Sequence, residues 1–343
     1  TSFTVHPDQL VNTNTDTDTG VPTVAMGADG RYVVTWASNG QDGDNWGVFA
    51  QRYNPDGTKN GDEFQVNTHT ADQQLYPDVA MAADGRFVIT WQSHNQDGSS
   101  WGIYAQRYNA DGTPFGGEFR VNGKSSNQQS EVTVGMSNNG DMFFAYQSMD
   151  HHHGDAQWGI YGTKFSWDGA VIHEKEIFDE RGNHSDDWYM KQSEFIPSIS
   201  TNGNGFTIAA WKDTDNTNGS NYNPTSGGLI RARRISPDGS YSSVIDVVAY
   251  QSDIHYPAAT INDDGSYIVT WQSADNIFAR VFNTDHSPRT DIFRVNQTTT
   301  GHQRFPSVST YPDGQFIVTW EGNGSGDGYG IYARRYHADG SPQ

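Results

Sequence analysis

The chain of 343 residues contains no cysteine. That excludes a disulfide framework, a zinc–thiolate site and a thiol nucleophile. Basic residues are scarce: 21 Lys and Arg stand against 41 Asp and Glu, for a formal net charge of -20. Such a surface repels a phosphate backbone, so nucleic acid is not an expected partner. Long apolar runs are missing as well. No stretch approaches the roughly 20 apolar residues of a membrane helix, and mean hydropathy is only -0.74, so membrane insertion is not expected. The sequence shows no amphipathic helical periodicity and no signal-peptide pattern at "TSFTVHPDQL". It is expected to be a mature protein, monomeric, or a module of a longer chain.

What the sequence does have is repetition. "DGRYVVTW" (29–36), "DGRFVITW" (84–91), "DGSYIVTW" (264–271) and "DGQFIVTW" (313–320) are variants of one phrase. The closing aromatic recurs at Trp36, Trp91, Tyr146, Trp211, Trp271 and Trp320, spaced 55, 55, 65, 60 and 49 residues apart. Six copies of this length suit the blades of a β-propeller, each of about four strands. In the second copy "PDVAMA" (77–82), "RFVITWQS" (86–93), "WGIYAQRYN" (101–109) and "EFRVN" (118–122) alternate apolar and polar residues as strands do. Asp-Gly pairs between them supply the positive φ that tight turns need. The expected fold is therefore all-β, a six-bladed propeller with four strands per blade.

The ends of the repeat predict how the ring closes. An Asn stands 24 residues before the anchor in four copies, at Asn12, Asn67, Asn122 and Asn296, and ends the fourth strand of the preceding blade. The last copy stops at "YHADGSPQ", before such a strand. "TSFTVHPDQLVN" reads as the missing piece, so residues 1–12 are expected to complete the last blade of one domain spanning 1–343. Protecting a sheet edge in this way also ties the termini down.

In a propeller the loops joining second to third strands share a face with the inter-blade loops. Here that face is acidic, carrying Asp42, Asp44, Asp97, Asp150, Asp155, Asp213, Asp215 and Asp327. Oxygen ligands on Gly-rich loops suit calcium, and "NTDTDTG" (14–20) and "DTDNTNG" (213–219) partly match Asp-x-Asp loops. Ca2+ is thus an expected cofactor, held by Asp42, Asp44, Asp97, Asp155, Asp213, Asp215 or Asp327. The plainer reading is that Asp and Gly simply form turns. Trp46, Trp101, Trp158 and Tyr329 end these loops and, with Gln74, are candidates to grip a sugar ring. Against this, large aromatics usually pack in the interior. The pattern breaks over 149–228, where "DHHHGD" (150–155) offers histidines to a transition metal or to solvent.

First strands line the channel, so residues just before the inter-blade prolines ring its mouth. His255 and Tyr256 of one blade and His302 and Arg304 of the next are expected there. Arg can neutralise a uronate carboxylate while His and Tyr act as base and acid, the arrangement of a polysaccharide lyase. "QDGDNW" and "RFP" (304–306) are loosely similar to sialidase motifs. However, the boxes fall between second and third strands, and Arg52, Arg107, Lys164, Arg234 and Arg335 recur at one strand position, which marks a repeat feature.

The full unit "FQVNTHTADQQLYPDVAMAADGRFVITWQSHNQDGSSWGIYAQRYNADGTPFGGEF" (64–119) resembles a repeat of very large secreted bacterial proteins that carry haemolysin-type calcium repeats and cadherin-like or adhesin modules. The resemblance implies an extracellular or cell-surface setting and supplies no catalytic residue. The first expectation is a binding module for a glycan or cell-surface ligand. The second is a polysaccharide lyase, with a sialidase-like hydrolase behind it, and the third is a structural spacer.

Overall fold

A computed structural model of the chain describes residues 9–152, 155–176, 197–213, 227–324 and 327–343. Among these residues there is no helix, and the strands fall into six antiparallel sheets. Blade 1 is β1 (Thr19–Met26), β2 (Tyr32–Asn39), β3 (Trp46–Tyr53) and β4 (Phe64–Gln65). Blade 2 is β5 (Gln74–Met81), β6 (Phe87–His94), β7 (Trp101–Tyr108) and β8 (Pro114–Arg120). Blade 3 is β9 (Gln129–Met136), β10 (Met142–His152), β11 (Asp155–Phe165) and β12 (Val171–Glu176). Blade 4 is β13 (Ser198–Thr201), β14 (Thr207–Asp213), β15 (Gly228–Ile235) and β16 (Ile245–Gln251). Blade 5 is β17 (Ile254–Ile261), β18 (Tyr267–Ser273), β19 (Asn276–Phe282) and β20 (Phe293–Arg294). Blade 6 is β21 (Gln303–Thr310), β22 (Phe316–Gly324) and β23 (Asp327–Tyr336), which form three strands among the described residues. The all-β six-bladed propeller expected from the repeat is the observed fold.

Within each blade the strands follow one another in sequence order, so neighbouring strands are antiparallel. Blades then stack face to face, and the apolar residues of the alternating pattern meet between them. Five buried cores result, one in each seam from blades 1–2 to blades 5–6. The recurring aromatic is the centre of this packing. Trp91 lies in the seam with blade 1, Trp211 in the seam with blade 3 and Trp271 in the seam with blade 4. Each is buried completely or nearly so. A side chain of this size buries roughly 200 Å², about 5 kcal/mol as an upper bound at 25 cal/mol per Å². The terminal tryptophan of the repeated phrase is a building block and not a site.

Strand bounds differ from expectation at both ends of a blade. The first strand of blade 2 starts at Gln74 and not at Pro77, because a β-bulge admits the proline: Leu75 pairs with Gln92 and Asp78 with Thr90, leaving one extra residue on β5. Proline has no N–H to donate, and a bulge is where a strand tolerates it. The fourth strand of blade 2 begins at Pro114, inside the stretch expected to be turn. Three of the recurring basic residues tie neighbouring blades together. Arg107 donates to the Trp167 carbonyl, Lys164 to that of Pro237 and Arg234 to that of Thr284.

Residues 1–8, expected in the closing strand, lie outside the described residues, as do 153–154, 177–196 and 214–226 of the irregular 149–228 region. Asp215 and the side chains of Asp150, Asp155 and Trp158 are among those outside; the side chains of Asp327 and Tyr329 are outside as well. Among the described residues no helix is long and apolar enough to cross a membrane.

Candidate functional site

The second–third loops and the inter-blade loops do share a face. Asp44 Oδ2 accepts from the Asp72 N–H at 2.9 Å, Ser99 Oγ donates to the Asn127 carbonyl at 3.2 Å, and His302 Nδ1 lies 2.6 Å from Asp275 Oδ1. The acidic residues placed there are occupied in holding loops. Asp42 Oδ2 accepts from Asn67 Nδ2 at 3.0 Å, and Asp97 Oδ1 accepts from the Ser99 N–H at 3.1 Å. These two carboxylates lie directly on Gly47 and Gly102, where a Cβ would meet them at 2.5 and 2.8 Å. The glycine of the Trp-Gly pair is there to admit the aspartate. Asp213 is buried in an ion pair with Arg231, whose Nε also bonds Asp246 at 3.1 Å. Among the described residues no three His, Asp or Glu side chains converge as a metal site would require.

Of the candidate sugar-binding residues, Trp46 and Trp101 are half-buried, and Trp101 packs on His94 with ring centroids 4.9 Å apart. Gln74 is fully buried. Its Oε1 accepts from Asn67 Nδ2 at 3.1 Å and its Nε2 donates to the Ala71 carbonyl at 2.9 Å. Gln129 repeats this with Asn122 and Ser126 at 3.0 and 2.9 Å. Gln74 thus belongs to an Asn–Gln latch that joins the end of one blade to the start of the next.

The channel mouth gathers the residues that the repeat does not fix. At the bulge of five first strands one residue adopts a left-handed conformation: Val21 (φ 54°), Tyr76 (52°), Glu131 (53°), Tyr256 (50°) and Phe305 (52°). Positive φ is uncommon for bulky or β-branched side chains, and here it turns each of them out of the sheet onto the rim. Tyr76 and Phe305 are 44% and 50% exposed. Tyr256 and Phe305, from neighbouring blades, touch with ring centroids 4.6 Å apart. Burial raises the Glu131 carboxyl pKa above the ordinary glutamate range.

A second ring lies just inside. It consists of the residues following the aromatic anchors: Ala37, Gln92, Gln147, Lys212, Gln272 and Glu321. Five of them pair with first-strand residues just before the bulge: Gly20 with Ala37, Leu75 with Gln92, Ser130 with Gln147, His255 with Gln272 and Arg304 with Glu321. The ring is lopsided. Blade 1 contributes the small Gly20 and Ala37, blades 2 and 3 contribute amides, and the basic side chains Lys212, His255 and Arg304 follow one another on blades 4, 5 and 6. His255 stands between Lys212 Nζ, 3.3 Å from its Nδ1, and Asp253 Oδ1, 2.8 Å from its Nε2. Both ring nitrogens of His255 are thereby directed at protein groups. Among the described residues Arg304 has no ion-pair partner within 4 Å.

The four residues named for a lyase-type site are thereby placed. His255, Tyr256 and Arg304 stand on the rim, whereas His302 turns outward to Asp275 and is 54% exposed. Lys212 and Phe305 were not anticipated. The signal for Lys212 was present, because the position after each anchor can be read off the repeat. For Phe305 it was not, because only the bulge turns that position outward.

No protein-family model matches the chain, and no curated protein matches it either. Solved structures do show the same fold. A protein of unknown function from Dyadobacter fermentans aligns over 95% of this chain and 96% of its own, at 12% identity and a TM-score of 0.59. An ulvan lyase, solved bound to -[GlcA(1-4)Rha3S]-, aligns over 95% and 83% at 10% identity and a TM-score of 0.56. An α-L-arabinofuranosidase from Fusarium graminearum aligns over 91% and 92% at 13% identity and a TM-score of 0.52. At these identities the likeness establishes the architecture of this chain, a six-bladed β-propeller.

Proposed function

We propose that the channel mouth binds an acidic polysaccharide outside the cell. The observation that carries this reading is the arc of Lys212, His255 and Arg304, with the touching Tyr256 and Phe305 rings beside it, in a chain of net charge -20. Positive charge held at one rim of an anionic protein, here by the buried Lys212 and by Arg304, marks where a negative ligand is tolerated. Guanidinium pairs well with carboxylate or sulfate, and exposed aromatic faces suit the apolar faces of sugar rings. Calcium is not part of the proposal, since the loop aspartates are engaged in turns and latches. That two neighbours in fold act on polysaccharide or arabinofuranoside agrees with a carbohydrate ligand.

A lyase is the second reading, because a β-elimination needs what this rim offers. Arg304 would neutralise a uronate carboxylate, and His255 and Tyr256 would move the protons. Binding is preferred because both nitrogens of His255 already face protein groups, Lys212 and Asp253.

The test is calorimetry with a uronate polymer, a sulfated polymer and a neutral glucan. Arg304→Ala should weaken acidic-polymer binding about tenfold, equivalent to about 1.4 kcal/mol, with an unchanged melting temperature. Binding that is equally tight to the neutral glucan, or absent for both acidic polymers, would sink the proposal. Ultraviolet absorbance of a new unsaturated uronate would replace it with the lyase.

A further inference from the structure

Among the described residues five of the seams between blades hold a buried core, and the one between blades 6 and 1 does not. Their facing positions are correspondingly open. Val24 of β1 is 61% exposed, whereas Val79, its counterpart on β5, is 6% exposed. Ile331 of β23 is 77% exposed, whereas its counterparts Val48, Ile103 and Ile277 are fully buried. An apolar face and an unpaired strand edge thus meet solvent at one place in the ring.

We propose that Gln9–Asn12 pairs with β23 as the fourth strand of blade 6 and closes the ring. The latch defines what closure requires. In blades 1, 2 and 5 the Asn that ends the fourth strand accepts, at Oδ1, the N–H of Val48, Ile103 and Ile277, at 2.7, 2.8 and 2.7 Å. The valine before each Asn donates its own N–H back to the same residue's carbonyl at 2.8 Å. The corresponding trio is Ile331, Val11 and Asn12.

Asn12 and the residue after it already make two further contacts of their counterparts. Its Nδ2 donates to the Asn14 carbonyl at 2.7 Å, as Asn67 does to His69 at 2.9 Å and Asn296 to Thr298 at 2.7 Å. Thr13 donates from N and Oγ1 to Glu63 Oε2 at 2.6 and 3.0 Å, and Thr68 does so to Glu118 Oε2 at 2.7 and 3.0 Å. The chain leaving Asn12 is thus seated on blade 1 just as the chain leaving Asn67 is seated on blade 2. The acceptor Oδ1 of Asn12 and the N–H of Ile331 complete the set. Register follows from blade 1, where Gln65 pairs with Phe49 and Phe64 with Ala50. Leu10 then faces Tyr332 and Gln9 faces Ala333. Closure sets Ile331 and Ala333 against Val24 and Met26, and it brings the small Gly20 and Ala37 alongside Arg304. It requires only this chain, not a second copy.

The absence of cysteine makes the test clean. Gln9→Cys with Ala333→Cys should form an intrachain disulfide on mild oxidation, seen as a faster-migrating monomer in a non-reducing gel and as a linked peptide by mass spectrometry. The offset pair Gln9→Cys with Tyr332→Cys should form it in much lower yield. No intrachain link, an equal yield from the offset pair, or a disulfide-linked dimer overturns the proposal, the last pointing to strand exchange between copies. Independently, Ile331→Asp should lower the melting temperature by a few degrees, as expected for a buried position, about 1–2 °C for each kcal/mol lost in a domain of this size. An unchanged melting temperature would show Ile331 to be exposed and the seam open.

Discussion

The two faces of the ring are built from the same repeat and obey opposite rules. On the face of the tight hairpins one geometry recurs from blade to blade. Asp56, Asp111, Asp238, Asp285 and Asp339 each accept the N–H of the residue two positions on, at 2.9–3.0 Å. Hydrogen bonds from the Ser or Thr hydroxyl, and then from its backbone N–H, hold these carboxyls below the usual aspartate range. On the mouth face the same repeat carries Ala, Gln, Gln, Lys, Gln and Glu at one position. A repeat stays uniform where side chains serve their own backbone. It diverges where side chains face what lies outside.

The sharpest way to break the comparison is in the shared core. Trp91→Ala should cost about 3–5 kcal/mol, measured by denaturant unfolding, while binding at the mouth is retained at temperatures where the variant is folded. Loss of binding in that folded variant would mean that seam packing and the mouth are not separable. A smaller effect is expected on the hairpin face. Gly85 sits at φ +87°, so Gly85→Ala should cost about 1–2 kcal/mol of strain and leave polymer affinity untouched.

The smallest effect belongs to the wall of the channel. Burial raises the pKa of Asp78, against hydrogen bonds from the Val134 N–H at 2.9 Å and Thr133 Oγ1 at 3.0 Å that pull it down. A folded pKa raised above the unfolded one means that this group's contribution is full in acid. It is lost as pH rises through the folded value. Asp78→Asn keeps the accepting oxygen and cannot ionise. It should therefore be more stable than the parent at neutral pH, and match it below the ordinary Asp pKa of about 4. A stability gap independent of pH would contradict this account.

Much of the architecture was legible in the sequence because it is written repeatedly. Asp-Gly turns, period-2 strands and a spaced tryptophan fixed the blade count and the turn face. The mouth was legible by position but not by orientation. The bulge at Leu75–Asp78 shifts the parity of the strand, so alternation alone could not show that Gln74 points inward or that Tyr76 and Phe305 point out. The loop aspartates are ambiguous for a related reason. Asp and Gly in sequence look the same whether they wrap an ion or, as at Asp42 and Asn67, hold a turn.

The left-handed residues of the rim have a thermodynamic consequence. Val21, Tyr76, Glu131, Tyr256 and Phe305 are fixed by the bulge and by the residue that follows, proline in four of the five. Their backbones have little freedom left to lose. A ligand that settles on this rim meets a surface whose ordering cost was met during folding, so its affinity is set by contact and desolvation and little by loop entropy. Replacing the following proline, as in Pro306→Ala, would return some of that freedom, and the loss should be entropic.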